Sequence, residues 1–312
     1  MTTRSAVAAY REGEPPARRR RRRANVTPYL FVGPAFLALM VFGVLPIVVA
    51  AVVSLTNLDI SGLANRANIH FVGLDNYARL FADGAFWVAL GNTITFVAIG
   101  VPSIIVVSLA AAIGLNQSDS RFFHALRTFY FLPAITAIVA ISLIWGYLYN
   151  SQFGLLNYLL SLGGLPPVGW LTDPFIAKLS VAFVGIWRAT GLDIVIFLAA
   201  LQSIPRDYYE AAAIDGAGDI RRIFSITIPL LRFAIFFVTI TTLINWMQFF
   251  DEPYVLTAGG PIHATTSISL YIFQEGFQFN QFGFASAASL VLFVIIVSVT
   301  AAQLRLRRSS DV

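Results

Sequence analysis

The chain has no cysteine, only three histidines and few charged side chains among its 312 residues. Without cysteine it forms no disulfide, no thiolate metal site and no cysteine nucleophile. The histidines, His70, His124 and His263, are far apart in the sequence, and neither a His-Glu-x-x-His pair nor a Gly-x-x-x-x-Gly-Lys-Ser/Thr phosphate loop is present. We therefore expect a non-catalytic chain that binds no cofactor of its own.

The chain is rich in apolar residues: 57% of its residues are hydrophobic and 12% are charged. A helix needs roughly 20 predominantly apolar residues to cross a bilayer. Six stretches reach this length, at residues 28–55, 86–115, 129–149, 177–201, 230–250 and 284–304. The composition is too apolar for a soluble protein of this size. It predicts an all-α membrane protein with six transmembrane helices in one domain, residues 28–304.

The basic residues are unevenly distributed around these six stretches. Lys and Arg that flank a membrane span are held on the cytoplasmic side. Seventeen of the 21 Lys and Arg residues lie in the two tails or in the alternate loops that six crossings place on one side. Both termini, and the loop between the fourth and fifth helices, are therefore predicted to be cytoplasmic, where ATP is available.

The first 27 residues include a run of six arginines from Arg18 to Arg23. Such a run also occurs in nucleic-acid-binding patches, but a run directly before a long apolar span has an orienting role. Because the segment has few large apolar residues, we expect residues 1–27 to be a disordered basic cytoplasmic tail without a nucleic-acid partner. Residues 305–312 are expected to form a second cytoplasmic tail.

Residues 210–229, EAAAIDGAGDIRRIFSITIP, form a charged, glycine-containing stretch between two apolar segments. They follow a pattern of Glu-Ala-Ala, three residues, Gly, nine residues, Ile, one residue and Leu-Pro. The matching positions are Glu210, Ala211, Ala212, Gly216, Ile226 and Pro229. Ile228 replaces the Leu and keeps an apolar side chain of similar volume. This stretch resembles the EAA loop in the membrane subunits of bacterial ABC importers.

Further segments extend the resemblance over nearly all of the chain after the basic tail. They are FVGLDNYARLF at residues 71–81, SIPRDYYEAAAIDGA at 203–217, LTAGGP at 256–261 and FGFASAAS at 282–289. These segments are similar to the carbohydrate-importer branch, which includes the maltose and glycerol-phosphate permeases. The resemblance implies a type I ABC importer permease in the bacterial inner membrane that translocates a sugar or oligosaccharide. A glycerol-phosphate or glycerophosphodiester solute is the alternative.

The resemblance also implies partners. In this branch, such a permease pairs with a second, homologous permease, two ATP-binding subunits and an extracytoplasmic solute-binding protein. The ATPase subunits would bind ATP and Mg, and this chain would be a multi-pass subunit without a cofactor. Ion-coupled secondary transport is a rival class, but the inverted repeats typical of it are not evident. A membrane enzyme would need a convergent acid-base or metal cluster, which is not visible either.

Local sequence signals predict a helix-turn-helix in the EAA loop. Ser203 is a candidate N-cap with Pro205 in the first turn, and Gly216 offers the left-handed position that ends a helix. A second short helix is predicted at residues 219–226. On the residues alone, the loop is either a docking knob or an amphipathic helix on the lipid headgroups. The resemblance implies docking in a cleft of the ATPase through Glu210, Ala211, Ala212, Asp215 and Gly216.

The predicted fifth helix carries a polar stripe, with offsets of 4, 7 and 11 residues that keep it on one helical face. Its members are Thr241, Asn245, Gln248 and Glu252. Because polar groups rarely face lipid, the stripe predicts a wet cavity or a contact with another subunit, and hydrogen bonding between helices is the alternative. Thr242, Trp246 and Phe249 lie beside it. Their rings add an aromatic platform of the kind that stacks on a sugar.

The predicted fourth helix holds two ionisable residues near mid-membrane, Arg188 and Asp193. A separation of five residues turns them about 140° apart around an ideal helix, so they are poorly placed to pair with each other. Arg188 needs another anionic partner, either Asp251 or Glu252 in a structural ion pair or a phosphate of the substrate. We favour the ion pair. The predicted substrate pathway comprises Arg188, Thr242, Asn245, Trp246, Gln248, Phe249 and Glu252.

Overall fold

The computed structural model describes residues 27–117 and 120–310, and these residues are almost entirely helical. The predicted N-terminal tail lies outside them, apart from its last residue. The helices are α1 (Thr27–Leu39), α2 (Leu45–Val53), α3 (Ile60–Ala64), α4 (Asp75–Ala82), α5 (Gly84–Leu115), α6 (Arg121–Ile135), α7 (Ile138–Leu148), α8 (Leu155–Leu162), α9 (Pro174–Gln202), α10 (Asp207–Ile214), α11 (Asp219–Arg222), α12 (Ile228–Leu230), α13 (Arg232–Met247), α14 (Asp251–Thr257), α15 (Ile268–Phe273) and α16 (Phe282–Ser310). The predicted all-α class is confirmed for this part of the chain.

The chain divides into two units after Val49. In its described part, the first unit consists of α1 and the beginning of α2, which a π-helical turn at Met40–Val44 joins. Pro34 lies inside α1, and Pro46 is the second residue of α2. Prolines are tolerated in membrane helices when the freed backbone groups are satisfied locally. The remaining helices belong to the second unit, which begins at Ala50.

Among the described residues, four helices are long and apolar enough to cross a membrane, and up to six if each of two bent helix pairs is one span. The four are Leu30–Val53, Gly84–Leu115, Pro174–Gln202 and Phe282–Arg307. The bent pairs are Arg121–Ile135 with Ile138–Leu148, at 98°, and Asp219–Leu230 with Arg232–Met247, at 67°. The predicted third and fifth helices are therefore interrupted rather than continuous.

Both interruptions lie close to a proline. Pro133 is inside α6, which ends at Ile135, and Thr136 is extended with a ψ of 143° before α7 begins. Pro229 lies in α12, and Leu231 leaves the helical region with a ψ of 0°. Proline disturbs the turn that precedes it, so it does not by itself account for breaks that fall two and three residues after it. Hydropathy records apolar character and not backbone direction, which is why a continuous span was predicted at each place.

Helix α9 is the centre of the second unit, because α5, α6 and α13 all pack on it. One apolar core joins Phe197 of α9 to Leu115 of α5 and Val238 of α13. Glycine allows the backbones to approach closely: a Cβ added at Gly191 of α9 would lie 2.3 Å from the carbonyl oxygen of Tyr130 in α6. Such small residues are a general means of packing helices in a membrane, where the lipid is as apolar as the side chains.

Buried side-chain amides hold the loops between these helices. Nδ2 of Asn76, in α4, donates to the carbonyl oxygen of Ser54 at 2.8 Å. Nδ2 of Asn92, in α5, donates to the carbonyl oxygens of His263 and Thr266, at 2.9 Å each. Because a buried amide left without a partner is costly, these contacts fix the loops. Two of the segments that resemble the importer family, residues 71–81 and 256–261, lie at or beside these contacts.

Candidate solute cavity and coupling loop

A cavity of about 550 Å³ lies between α9, α13 and α14, and Ala134 of α6 also lines it. This volume falls within the range of about 300 to 1,000 Å³ that is typical of small-molecule sites. The polar and charged residues that line it are Arg188, Asp193, Thr241, Thr242, Asn245, Gln248, Asp251 and Glu252. The structure brings all seven residues of the predicted substrate pathway into this lining.

The polar stripe does not lie on one continuous helix. Helix α13 ends at Met247 and α14 begins at Asp251, so Gln248 lies in the break and Glu252 lies in the next helix. The prediction of an uninterrupted fifth helix is wrong here. Pro253, in the first turn of α14, has no N–H to continue the hydrogen bonding of α13, and proline suits the start of a helix. The stripe residues on both sides of the break still line the same cavity.

Arg188 lies between two carboxyl groups. Its Nε donates to Oε1 of Glu252 at 2.7 Å, and its Nη2 lies 3.9 Å from Oδ2 of Asp251. The side chain of Glu252 is only 1% exposed, whereas that of Asp251 is 49% exposed. A buried carboxylate needs a charged or hydrogen-bonding partner, because taking an isolated charge out of water is expensive. Arg188 supplies this partner and connects α9 to α14.

Asp193, one and a half turns further along α9, has a different partner. It is buried, and its Oδ2 accepts a hydrogen bond of 3.4 Å from Oγ1 of the buried Thr242 in α13. Arg188 and Asp193 thus contact separate groups, as their angular separation predicts. By contrast, Asn245 and Gln248 are exposed and line the cavity. Their amides offer both donors and acceptors to a solute.

The predicted aromatic platform is present but mostly covered. The rings of Trp246 and Phe249 stack with centroids 4.7 Å apart, and Trp246 is only 4% exposed. A Cβ added at Gly100 would lie 2.1 Å from the Trp246 ring, and one at Gly185 would lie 2.9 Å from Phe249. The pair is therefore packed against α5 and α9 and only borders the cavity. Phe250 also lines the cavity, and sequence reasoning missed it because it lies in the break between helices.

The EAA loop forms two short helices joined by a glycine turn. At the end of α10, the N–H of Ala217 donates to the carbonyl of Ala212 at 2.9 Å, and that of Gly216 donates to Ala213 at 3.1 Å. These two bonds define a Schellman motif, and Gly216 has a φ of +73°, which confirms the predicted left-handed turn. Helix α11 continues into a π-helical turn at Ile223–Thr227. The second predicted helix is therefore present in a distorted form.

The predicted cap at the start of this loop is wrong. Ser203 follows the last residue of α9, and its hydroxyl donates to the carbonyl of Ala200 at 2.7 Å. Helix α10 begins only at Asp207, two residues after Pro205. The fourth membrane helix extends to Gln202, so Ser203 ends that helix instead of capping the next one.

The predicted docking residues lie on the surface of the loop. Ala212 is half-buried, and the exposed ones are Glu210, Ala211, Asp215 and Gly216. Arg222 holds the loop from within: its Nε donates to the carbonyl of Ala217 at 2.7 Å, and its Nη1 lies 3.4 Å from Oδ1 of Asp219. The loop is thus a braced structure with its charged residues turned outward.

Sequence reasoning missed the large apolar side chains that this loop exposes. They are Tyr208, Ile214, Ile220 and Phe224. The sequence signal that could have identified them was their position in or beside a charged, glycine-containing segment, where large apolar side chains are expected to be exposed. Apolar side chains clustered on an exposed loop are typical of a surface that another protein covers.

Apolar helices, a polar cavity among them and a braced surface loop together define a multi-pass membrane protein equipped to pass a solute. Residues 78–311 match the family described as the inner membrane component of binding-protein-dependent transport systems, and the chain belongs to this family. The resemblance that residues 210–229 carry is thereby confirmed, and so is the location in the membrane.

Several proteins of this family are similar over most of their length. The lactose transport system permease protein of Rhizobium radiobacter is 39% identical, over 88% of this chain and 91% of its own. The trehalose/maltose transport system permease protein of Thermococcus litoralis is 35% identical, over 90% and 93%. The sn-glycerol-3-phosphate transport system permease protein of Salmonella typhimurium is 35% identical, over 91% and 94%.

The fold is also known from a solved structure. A chain in the crystal structure of a bacterial alginate ABC transporter, in complex with an alginate pentasaccharide-bound periplasmic protein, superposes with a TM-score of 0.77. The match covers 91% of this chain and 94% of that one, at 24% sequence identity. At this identity, the likeness shows that the two chains share a fold.

Proposed function

We propose that this chain is the membrane-spanning permease subunit of an ATP-driven ABC importer for a carbohydrate. The cavity between α9, α13 and α14 carries the proposal, because amides, carboxyl groups and aromatic rings that border one cavity suit a polyhydroxylated solute. Relatives named for lactose and for trehalose and maltose support the same solute class. The chain forms the path of the solute and leaves ATP hydrolysis to its partners.

In the proposed topology, each bent helix pair is a single span, which makes six spans. An even number of spans returns the chain to the side on which it began, and the basic residues assign that side to the cytoplasm. Both termini and the coupling loop, residues 203–229, are then cytoplasmic. This arrangement brings the loop within reach of an ATPase on the only side where ATP is available.

The exposed residues of the loop would contact the ATPase and transmit its conformational change to the membrane helices. Gly216 would set the turn that presents these residues. The proposed complex holds two ATPase subunits, which bind ATP and Mg, and a second, homologous permease. A solute-binding protein delivers the carbohydrate from outside, and the alginate transporter structure, which is a complex with a periplasmic protein, supports this arrangement. The proposed docking residues are Glu210, Ala211, Ala212, Asp215 and Gly216.

Within the cavity, the exposed amides of Asn245 and Gln248 would bond the hydroxyl groups of the solute, and Trp246 would border its ring. A glycerol-phosphate solute is the second candidate, because one relative is named for sn-glycerol-3-phosphate and Arg188 lines the cavity. Membership of a binding-protein-dependent family argues against ion-coupled secondary transport. The proposed pathway residues are Arg188, Thr242, Asn245, Trp246, Gln248, Phe249 and Glu252.

Uptake into proteoliposomes that contain the whole importer tests this function. With ATP and the solute-binding protein supplied, we expect uptake of a radiolabelled neutral sugar such as lactose, maltose or trehalose. Asn245→Ala should lower the rate about fivefold, since one hydrogen bond is lost, while Asn116→Ala, an exposed amide outside the cavity, should not. Uptake driven by an ion gradient in liposomes without the ATPase would contradict the proposal.

A further inference from the structure

The cavity has more acidic than basic groups. Four ionisable side chains line it: one guanidinium, from Arg188, and three carboxyl groups. The carboxyl groups are those of Asp193, Asp251 and Glu252. If all four are ionised, the lining has a net charge of minus two, and if the two buried carboxyls, Asp193 and Glu252, both hold protons, it is zero. The lining is not positive in either state.

Among the described residues, Arg188 is the one cation of the lining, and it is already engaged. Arg188 donates from Nε to Glu252 at 2.7 Å, and its Nη2 is 3.9 Å from Asp251. A phosphate or carboxylate that entered the cavity would therefore meet a guanidinium whose charge is already offset by two carboxyl groups, and it would lie close to the half-exposed carboxylate of Asp251. Like charges at such short range repel each other. The guanidinium is therefore a poor binding group for an anionic solute.

Of the three carboxyl groups, that of Asp251 can accept hydrogen bonds from a solute. Its side chain is half exposed, whereas those of Asp193 and Glu252 are buried. An ionised carboxylate only accepts hydrogen bonds, so it needs a donor from the solute or from water. Sugar hydroxyls are donors, whereas a phosphate dianion or a carboxylate anion brings acceptor oxygens that the Asp251 carboxylate repels.

We propose that the solute is an uncharged carbohydrate, that the half-exposed Asp251 accepts its hydroxyl hydrogen bonds, and that the acidic lining of the cavity repels anionic solutes. This inference rests on the proposed function and narrows it. The relatives do not decide the point, because their names include both lactose and sn-glycerol-3-phosphate. The charges that this chain contributes to the cavity favour the neutral solute.

The test uses the complete importer with its own partner subunits in ATP-loaded proteoliposomes. The probes are radiolabelled lactose, maltose and trehalose, which are neutral, and sn-glycerol-3-phosphate, which is anionic. The variants are Asp251→Asn, which removes the charge at similar size, and Asp251→Glu, which keeps it. Asp75→Asn removes an exposed carboxylate on α4, outside the cavity, as a control. Immunoblotting of the liposomes corrects each rate for the amount of assembled complex.

We expect uptake of a neutral sugar at least tenfold faster than that of sn-glycerol-3-phosphate. Asp251→Asn should lower neutral-sugar uptake about tenfold, because a hydrogen bond to a charged group is lost. Asp251→Glu, which keeps the charge, should lower it less, and Asp75→Asn should stay near the wild-type rate. ATP-dependent uptake of sn-glycerol-3-phosphate as fast as that of any neutral sugar would overturn the inference and leave the importer function intact. Equal rates for Asp251→Asn and Asp75→Asn would also overturn it. ATP-independent uptake would reject the proposed function and, with it, this inference.

Discussion

Gly216 and Gly218 lie two residues apart in the coupling loop and have opposite backbone requirements. Gly216 has a φ of +73°, and Gly218 has a φ of −67° with a ψ of 165°. An added Cβ at either residue would meet no atom within 4 Å. The difference between them is therefore conformational, since a β-branched residue enters the left-handed region only with strain and adopts the extended region readily.

This contrast gives a matched pair of variants. Gly216→Val should cost at least about 1–2 kcal/mol at the turn, because the side chain strains a left-handed residue. We expect it to abolish transport while the protein remains in the membrane. Gly218→Val should keep most of the activity. Uptake and solute-stimulated ATP hydrolysis of the reconstituted importer measure both effects, and equal activity of the two variants would contradict a role for the turn.

A third variant separates docking on a protein from contact with lipid. Glu210→Lys reverses an exposed charge on α10 without changing the turn. If the loop docks in a cleft of the ATPase, this variant should release the ATPase or uncouple its hydrolysis from the solute. A helix that lies on anionic headgroups would tolerate the added lysine. Wild-type uptake and hydrolysis would therefore reject the docking assignment.

At the scale of elements, the packing of α5, α9 and α13 positions one wall of the cavity. Trp246 of α13 lies against Gly100 of α5, where a Cβ would come within 2.1 Å of its ring. At Gly91, which also lies in α5, an added Cβ would have no atom within 4 Å. Of the four glycines in α5, packing therefore requires Gly100, and Gly91 is one of the three at which an added Cβ would meet no atom.

Alanine at these two glycines tests the packing. Gly100→Ala forces the ring of Trp246 to move, and overpacking of this kind costs about 1–3 kcal/mol. The apparent melting temperature of the purified complex should fall by roughly 2–10 °C, and uptake should fall as well. Gly91→Ala should change neither quantity. Thermal unfolding followed by tryptophan fluorescence provides the comparison, and a shift of the same size in both variants would contradict the close contact.

At the scale of the whole molecule, each chain carries one coupling loop and one cavity wall. An importer with two ATPase subunits needs a second loop, which we expect a second, homologous permease to supply. The apolar side chains that the loop exposes are consistent with a covered position in a larger assembly.

Mass spectrometry of the active, detergent-purified importer should therefore find this chain with a different permease in a one-to-one ratio. The chain combined with the ATPase alone should show no solute-stimulated uptake. Full activity from a complex that contains only this permease would refute the heterodimer. Deletion of the second permease gene, with this chain retained at normal abundance, is the matching experiment in cells.

The sequence by itself determined the class of the protein. Apolar composition dictates membrane helices, because a backbone in lipid must satisfy its own hydrogen bonds. The EAA spacing predicted the family, and Gly216 predicted the left-handed turn, because the signals for a helix end are local. The pathway residues on the predicted fifth helix were chosen from helical periodicity and Arg188 for its charge near mid-membrane, and all seven line one cavity.

Only the tertiary structure decided how these parts combine. The sequence predicted an ion pair of Arg188 with Asp251 or Glu252, but only the fold shows that Glu252, 64 positions away, accepts the short hydrogen bond. Periodicity within one helix does not distinguish the two carboxyl groups. The break after Met247 depends on Pro253 and on the packing of α14, which a hydropathy profile does not resolve. The net charge of the cavity follows from the ion pair and from the break, which together bring Arg188, Asp251 and Glu252 to one place. It is set by which side chains the fold gathers around one space, and that is a property of packing rather than of composition.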